Sequence, residues 1–370
     1  MYRVTYFYFS VYLGVFCFLY YCLHDNELYK VVFVIILCFG LIFTFLSPIC
    51  IIPDEQEHLI RSDLTSQGIL IPVPFSLNYE DFSFINKSNG GNFKTISSIV
   101  NLSENYGQTV FSTNFLNTYI NYTVVEYHSA FAQNPFFGYL AQGIGVFLAK
   151  CLDLNAIWML WLGRFFNLLL YASIVSYAVK KTPMLKIPFI FMACLPLAVM
   201  HGASMSIDSI INSLALLVIA YFLFLIKSKD KEIDNKKLLI FMLLIIILGL
   251  CKLSFIGFAF LVLFIPKNKF KDKFYYKYLV FMIIILIGLL WSKFYATPAL
   301  TYSYRLSYFI EHNVSLSGQL NFIFNHIPDS MVMLFRIPNY LEYCLPHFSF
   351  YGFPHLNILQ SLYQLSIHYF

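Results

Sequence analysis

The chain has 370 residues, 59% of them apolar and only 12% charged, with a mean hydropathy of +0.70 and a formal net charge of +5. Repeated runs of Val, Ile, Leu and Phe are long enough to cross about 30 Å of hydrocarbon, which excludes a soluble globular enzyme and points to an all-α polytopic membrane protein. Lysines cluster in short loops between those runs, as the positive-inside rule expects, so the positive charge is not a nucleic-acid signature.

The first apolar run, near Thr5 to Cys22, does not show a positively charged n-region followed by a small-residue cleavage site, so it reads as retained rather than as a removed signal peptide. A second run, Val31 to Ser47, ends at Pro48 and delivers the chain to its densest ionisable cluster, Pro53-Asp-Glu-Gln-Glu-His58-Leu-Ile-Arg61-Ser-Asp63. Pro53 suits a first helical position, Asp54 and Glu55 suit the positive end of the helix dipole, and Gly68 suits a C-terminal stop; a helix over Pro53 to Gln67 follows. Asp54, Glu57, His58, Arg61 and Thr65 then share one face, with Ile60 and Leu64 beside it. On spacing alone this stripe reads equally well as a solvated helix with i, i+4 charge pairing.

The longest polar region runs from about Ile69 to Asn134, with Ile71 to Pro74 as an extended segment. Asn86, Asn101, Asn121 and Asn313 each begin an N-x-Ser/Thr triplet, a pattern that Asn-rich loops produce without meaning. Next come Asn134-Pro135, a short apolar segment to Lys150, a long run from Trp158 to Val179, and Lys180, Lys181 and Lys186. If both segments crossed, the lysines would lie on the side of the large loop, against the charge rule. Pro135 to Lys150 is therefore expected to be an interfacial helix, with Trp158 to Val179 crossing inward, Ile187 to His201 outward and Ile210 to Ile226 inward. Leu238 to Pro266 measures about 43 Å at roughly 1.5 Å per residue, yet both its flanks are lysine-rich. The spacing predicts two half-helices broken around Cys251 to Ser254, with Lys252 at the turn of a re-entrant hairpin; a single tilted helix is the alternative. Tyr278 to Ser292 crosses outward, Tyr295 to about Ser330 forms a second exterior loop, and the remainder contains no clear span. The expected organisation is thus N-terminal spans over 1–48, an exterior loop over 49–157, a bundle over 158–296, and a second loop with an incomplete end over 297–370.

Cys17, Cys22, Cys38, Cys194 and Cys251 fall in or at the ends of apolar runs and no C-x-x-C pair exists, so neither a disulfide framework nor a zinc site is expected. Arg164, Asp208 and Lys252 are set in or beside apolar runs, where each charge costs roughly 2.5–3.5 kcal/mol unless it faces protein or water. Plain alternatives exist for each: a snorkelling side chain for Arg164 and Lys252, a helix N-cap for Asp208.

The order of motifs resembles a bacterial family of polytopic membrane proteins catalogued as a domain of unknown function, over about Ile42 to Phe350. The motifs are Pro53-Asp-Glu-x-x-His58-x-x-Arg61-Ser62, Asn134-Pro135, Arg164-x-x-Asn167, Leu195-Pro196, Ser204-x-Ser-x-Asp208 and Lys252-Leu-Ser-Phe. That family is similar to the C-type glycosyltransferase (GT-C) superfamily, multi-pass enzymes that use polyprenyl-phosphate-linked sugars and carry an acidic motif in the first exterior loop. The resemblance implies a GT-C-like helix bundle in the inner membrane of a bacterium, with a polyprenyl-phosphate sugar donor and a glycan or lipid acceptor as partners. It places Asp54-Glu55 where the superfamily's catalytic carboxylate would be and Arg164 at the exterior start of the next span. Glycosyl transfer from a lipid phosphate needs a base and cations, so Asp54 is expected as base, Glu55 as its orienting or substitute carboxylate, Asp208 as support for acceptor or sugar, and His58, Arg61, Arg164 and Lys252 as contacts to phosphate or sugar. No cofactor is called for; a divalent metal could sit at paired carboxylates, but no spacing demands one. An extra apolar run before Val31 and the stop at Phe370 depart from the family pattern. A glycolipid flippase or exporter, and a shortened non-catalytic membrane subunit, are the competing readings.

Overall fold

A computed structural model describes residues 27–71, 93–127, 131, 134–227, 233–270, 275–296 and 315–335. The expected first span, the extended segment beyond Ile71, the triplets at Asn86 and Asn313 and the aromatic stretch from Tyr340 lie outside the described residues. The described part of the larger unit, 27–296, is an all-α membrane bundle with one two-stranded ribbon; residues 315–335 belong to a second compact unit.

Helix α1 (Leu28–Leu46) ends because Ser47, which precedes Pro48, is extended at φ −66°, ψ 138°. Helix α2 (Glu55–Ser66) begins two residues later than Pro53, since Asp54 takes a left-handed conformation at φ 59°. It closes in a Schellman motif: Gly68 sits at φ +80°, its N–H donates to Thr65 O, and Ile69 N–H donates to Leu64 O, each at 3.0 Å. Strands β1 (Phe93–Ile96) and β2 (Val124–Tyr127) pair antiparallel around helix α3 (Ser97–Glu104) and two short 3-10 turns.

A 3-10 turn at Phe136–Tyr139 leads into α4 (Leu140–Cys151), too short to span, and α5 (Ile157–Lys181) follows it back. These two helices touch closely, because a Cβ on Gly145 would lie 2.3 Å from Leu162 O. Where one crossing from Ile187 to His201 was expected, the structure has two short helices, α6 (Lys186–Ala193) and α7 (Pro196–Gly202). The break has a local cause: Leu195 precedes Pro196 and is extended at ψ 135°, and the Tyr171 hydroxyl donates to the freed Ala193 carbonyl at 2.8 Å.

Helix α8 (Asp208–Lys227) is long enough to cross, and α9 (Asn235–Cys251) stops at Lys252, which is extended at φ −151°, ψ 109°. A 3-10 stretch (Leu253–Ala259) and α10 (Phe260–Leu263) carry the chain back, and Ile233 N–H donates to Lys269 O at 2.9 Å. Both lysine-flanked ends of this segment therefore meet at one end of the bundle. Helix α11 (Tyr276–Trp291) continues through a π turn to Ala296. Four helices, α1, α5, α8 and Tyr276–Ala296, have the length and hydropathy to cross a membrane. In the second unit, α12 (Leu316–Asn325) and α13 (Ile327–Phe335) replace part of an expected loop, with Ser315 Oγ capping α12 by accepting from Gly318 N–H at 3.1 Å.

Two apolar clusters hold the larger unit. One joins α1, α5, α8 and α9 through Ile35, Leu168, Val218 and Phe241; the other lies beneath the β-ribbon and joins Ile49, Leu59, Ile60, Ile99, Val110, Ile157 and Met205. Leu59 and Ile60 seat α2 on that second cluster, so its polar face turns inward along the bundle instead of out to water.

Candidate functional site

Helix α2 is pinned by two buried carboxylates, one near each end. Glu55 pairs with Arg164 of α5 in a bidentate arrangement, Nε to Oε1 at 2.8 Å and Nη2 to Oε2 at 2.9 Å, with both side chains at most 1% exposed. The same guanidinium donates to the carbonyls of Thr44 (3.5 Å), Ser47 (3.1 Å) and Pro48 (2.8 Å), which α1 leaves unpaired where it ends. All five of its N–H groups are thereby used. Arg164 neither snorkels nor has a donor left for a ligand; it ties the end of α1 to the start of α2. Near the other end, fully buried Asp63 pairs with Lys150 of α4 and accepts from Thr95 Oγ1 at 2.6 Å and Gln67 Nε2 at 2.7 Å.

The loop before α8 is held on the same framework. Met205 N–H donates to Glu55 Oε1 at 2.9 Å, and Asn167 Nδ2 donates to the carbonyls of Ser204 (2.7 Å) and Ser206 (3.2 Å). The Arg164-x-x-Asn167 spacing thus puts two polar groups on one face of α5, one reaching α2 and the other this loop. Ser204-x-Ser-x-Asp208 forms nested turns, with Ser204 Oγ accepting from Ser206 N–H and Ser206 Oγ accepting from Asp208 N–H, each at 3.1 Å. Ser206, not Asp208, is therefore the capping side chain. The Asp208 carboxylate turns outward, 39% exposed, and lies 3.7 Å from Lys252 Nζ at the break after α9, itself 56% exposed.

Between the pinned ends lie His58 and Arg61. Burial pushes the Tyr139 hydroxyl above its ordinary range, so it stays protonated. Asn134 Nδ2 donates to that hydroxyl at 2.9 Å, and His58 Nδ1 lies 2.7 Å from it. In the tautomer in which the hydroxyl donates to Nδ1, the imidazole carries its own hydrogen on Nε2. Burial lowers the His58 pKa to about 4; Asp208 opposes the shift, while His201 and Lys252 reinforce it. His58 is neutral at pH 7 and can donate one hydrogen bond. Arg61, fully buried, donates to Asn134 O (3.0 Å), Thr65 Oγ1 (2.8 Å), Ile69 O (3.4 Å) and Leu70 O (3.0 Å), joining the chain that leaves α2 to the chain that returns at Asn134.

Asp54 differs from every other acid on α2. It is exposed, it stands in a left-handed conformation, and its carboxylate has no hydrogen bond or ion pair among the described residues. Glu55 contacts Met205, three residues before Asp208, and His58 lies within electrostatic reach of Asp208, His201 and Lys252. Among the described residues no group of three or more His, Cys, Asp or Glu could hold a metal ion.

Over residues 37–359 the chain matches the model of a family described as "Predicted membrane protein (DUF2142)". The chain belongs to this family. No curated protein and no solved structure matches it. Family membership and the four spanning helices agree on a membrane protein, and neither carries a reaction. The acidic cluster and the motif order were visible in the sequence of this DUF2142 member. The roles of Asp63, Lys150 and Tyr139 were not, since each depends on partners 32 to 87 residues away. One weak signal was available for Tyr139, which follows Asn134-Pro135 at a spacing that returns its ring to Asn134.

Proposed function

We propose that this protein is a membrane glycosyltransferase of GT-C type, which transfers a sugar from a polyprenyl-phosphate donor to a cell-surface glycan or lipid acceptor in the inner membrane of a bacterium. The observation that carries the reading is the contrast between adjacent acids: Glu55 is consumed by a buried clamp, and Asp54 is exposed beside it with no hydrogen bond or ion pair among the described residues. An acid at a helix N-terminus complements the helix dipole, but a general base needs in addition a carboxylate that is held on a fixed element and open to a substrate, as Asp54 is beside the Glu55 clamp.

In the proposed step the acceptor hydroxyl oxygen attacks the anomeric carbon and its proton passes to Asp54. The bond from that carbon to the phosphate oxygen breaks, and the electron pair leaves with the polyprenyl phosphate. One base and no second nucleophile give inversion at the anomeric carbon. Lys252 sits at the break in its helix, and its ammonium neutralises charge on the leaving phosphate; the His58 Nε2–H donates to the phosphate or the sugar. Asp208 accepts from sugar or acceptor hydroxyls once Lys252 turns to the phosphate. Glu55, Arg164 and Arg61 act as positioning residues.

The breaks at Leu195 and Lys252 are also what a glycolipid flippase would use, because unwound backbone in a membrane lines a path or a site. One experiment separates the readings. Asp54→Asn, present in the membrane at normal level, should abolish sugar incorporation from a polyprenyl-phosphate donor. Full transfer activity in that variant removes Asp54 as base, and lost lipid translocation with intact transfer favours the flippase.

A further inference from the structure

We propose that the segment from Asn105 to Thr123 is a binding surface for a neutral glycan and receives the acceptor. The proposal deepens the transferase reading and rests on it for the word acceptor, but binding is measurable without transfer. Four rings on this segment face outward: Tyr106 is 52% exposed, Phe111 67%, Tyr119 74% and Tyr122 47%. Each carries roughly 150–250 Å² of surface, and so many on one short segment exceed the scattered exposure that needs no explanation.

These rings stand on a fixed base. Ile49 N–H donates to Gln108 O at 2.9 Å and Gly107 N–H returns to Ile49 O at 2.8 Å, while Ala156 N–H donates to Thr118 O at 2.9 Å. The Tyr122 hydroxyl donates to Lys150 O at 3.2 Å, and buried Val110 and Ile120 pin the segment to the apolar cluster below. The amides of Asn114 and Asn117 are exposed and make no side-chain hydrogen bond among the described residues.

Chemistry selects the partner. From Asn105 to Val125 there is no Asp, Glu, Lys, Arg or His, and the Asp153 carboxylate that lies beside the Tyr122 hydroxyl would repel an anionic ligand. Pyranose rings present apolar C–H faces that stack on aromatic rings, with hydroxyls that exchange hydrogen bonds with amides, and neither contact needs charge. Segments that lie in a bilayer interface instead combine Lys or Arg with Leu and Trp, and burying free amides there is costly. Ile49, which the segment grips, lies five residues before Asp54, at most about 18 Å along the chain.

The test uses the full-length protein in phosphatidylcholine nanodiscs and saturation-transfer NMR, with neutral gluco-, manno- and galacto-oligosaccharides as probes and an oligogalacturonate as charged control. Transfer to at least one neutral probe is expected, and none to the control. Phe111→Ala combined with Tyr119→Ala should weaken binding roughly ten-fold without lowering the melting temperature, while Phe264→Ala, which removes an equally exposed ring on another element, should bind as wild type. Three results overturn the proposal: no neutral probe binds, the double variant binds as well as wild type, or a Tyr119→Trp variant shows strong extra quenching by brominated phospholipid, which would place the ring in the bilayer. Sugar transfer without probe binding would sink this surface alone; probe binding with no transfer from any polyprenyl-phosphate donor would sink the transferase reading alone.

Discussion

Two neighbouring carboxylates should respond oppositely to mutation. Glu55→Ala leaves the Arg164 guanidinium buried, with its carbonyl partners in place but without the counter-charge that two of its N–H groups now reach. It also strands the Met205 N–H, which donates to the same carboxylate. Removing one partner of a buried pair costs about 3–5 kcal/mol, because the other charge stays behind without compensation. At roughly 2 °C per kcal/mol, the coefficient suited to a longer chain, the apparent melting temperature should fall by roughly 6–10 °C. Replacing both residues by leucine should cost less than either single change, since no lone charge remains buried. Asp54→Asn should leave the melting temperature where it was, because that side chain has no hydrogen bond or ion pair to lose among the described residues, and should remove activity. Heating detergent-solubilised fusions to a fluorescent protein and following the monodisperse fraction by size exclusion gives each of these temperatures. A Glu55→Ala protein that melts within about 1 °C of wild type would refute the clamp and with it the reason Asp54 stands where it does.

Other consequences follow from the same geometry. The folded-state pKa of His58 lies below its unfolded value, so the unfolded chain binds more protons, and the stabilisation present above about pH 6.5 is lost as pH falls toward about 4. His58→Gln should flatten the melting-temperature profile between about pH 6.5 and 5, a window in which most carboxylates are still ionised; an unchanged slope would show that burial of His58 does not set it. The Asp208–Lys252 contact is loose and more than a third exposed on both sides, so Lys252→Ala should change stability by less than about 1 kcal/mol while cutting transfer activity, and a large stability loss would argue for a structural role. Gly145→Ala would drive a methyl into the Leu162 backbone, for which no rotamer change can compensate. Overpacking of this kind costs about 1–3 kcal/mol or more, and the variant should show a lower yield of monodisperse protein in the membrane.

Hydropathy and charge were sufficient to read the all-α membrane character, because a chain in hydrocarbon must satisfy its backbone within helices and must advertise that in long apolar runs. The same local physics made α2 legible, with an acidic start and a glycine stop, and made the break at Lys252 legible, since one crossing cannot carry lysine-rich flanks on a single side. The split into α6 and α7 was also written locally, in Leu195-Pro196, but hydropathy averages over a proline and hides it. What the sequence could not tell was which charges on α2 are used up. Glu55 and Asp54 are adjacent acids of similar chemistry, and Arg164, Asn167 and the Ser204–Ser206 loop become neighbours of the first only when distant helices pack. Tertiary structure decided that one carboxylate closes a buried ion pair and the other is exposed, because desolvation makes a charged side chain take a partner whereas exposure lays no such demand on its neighbour.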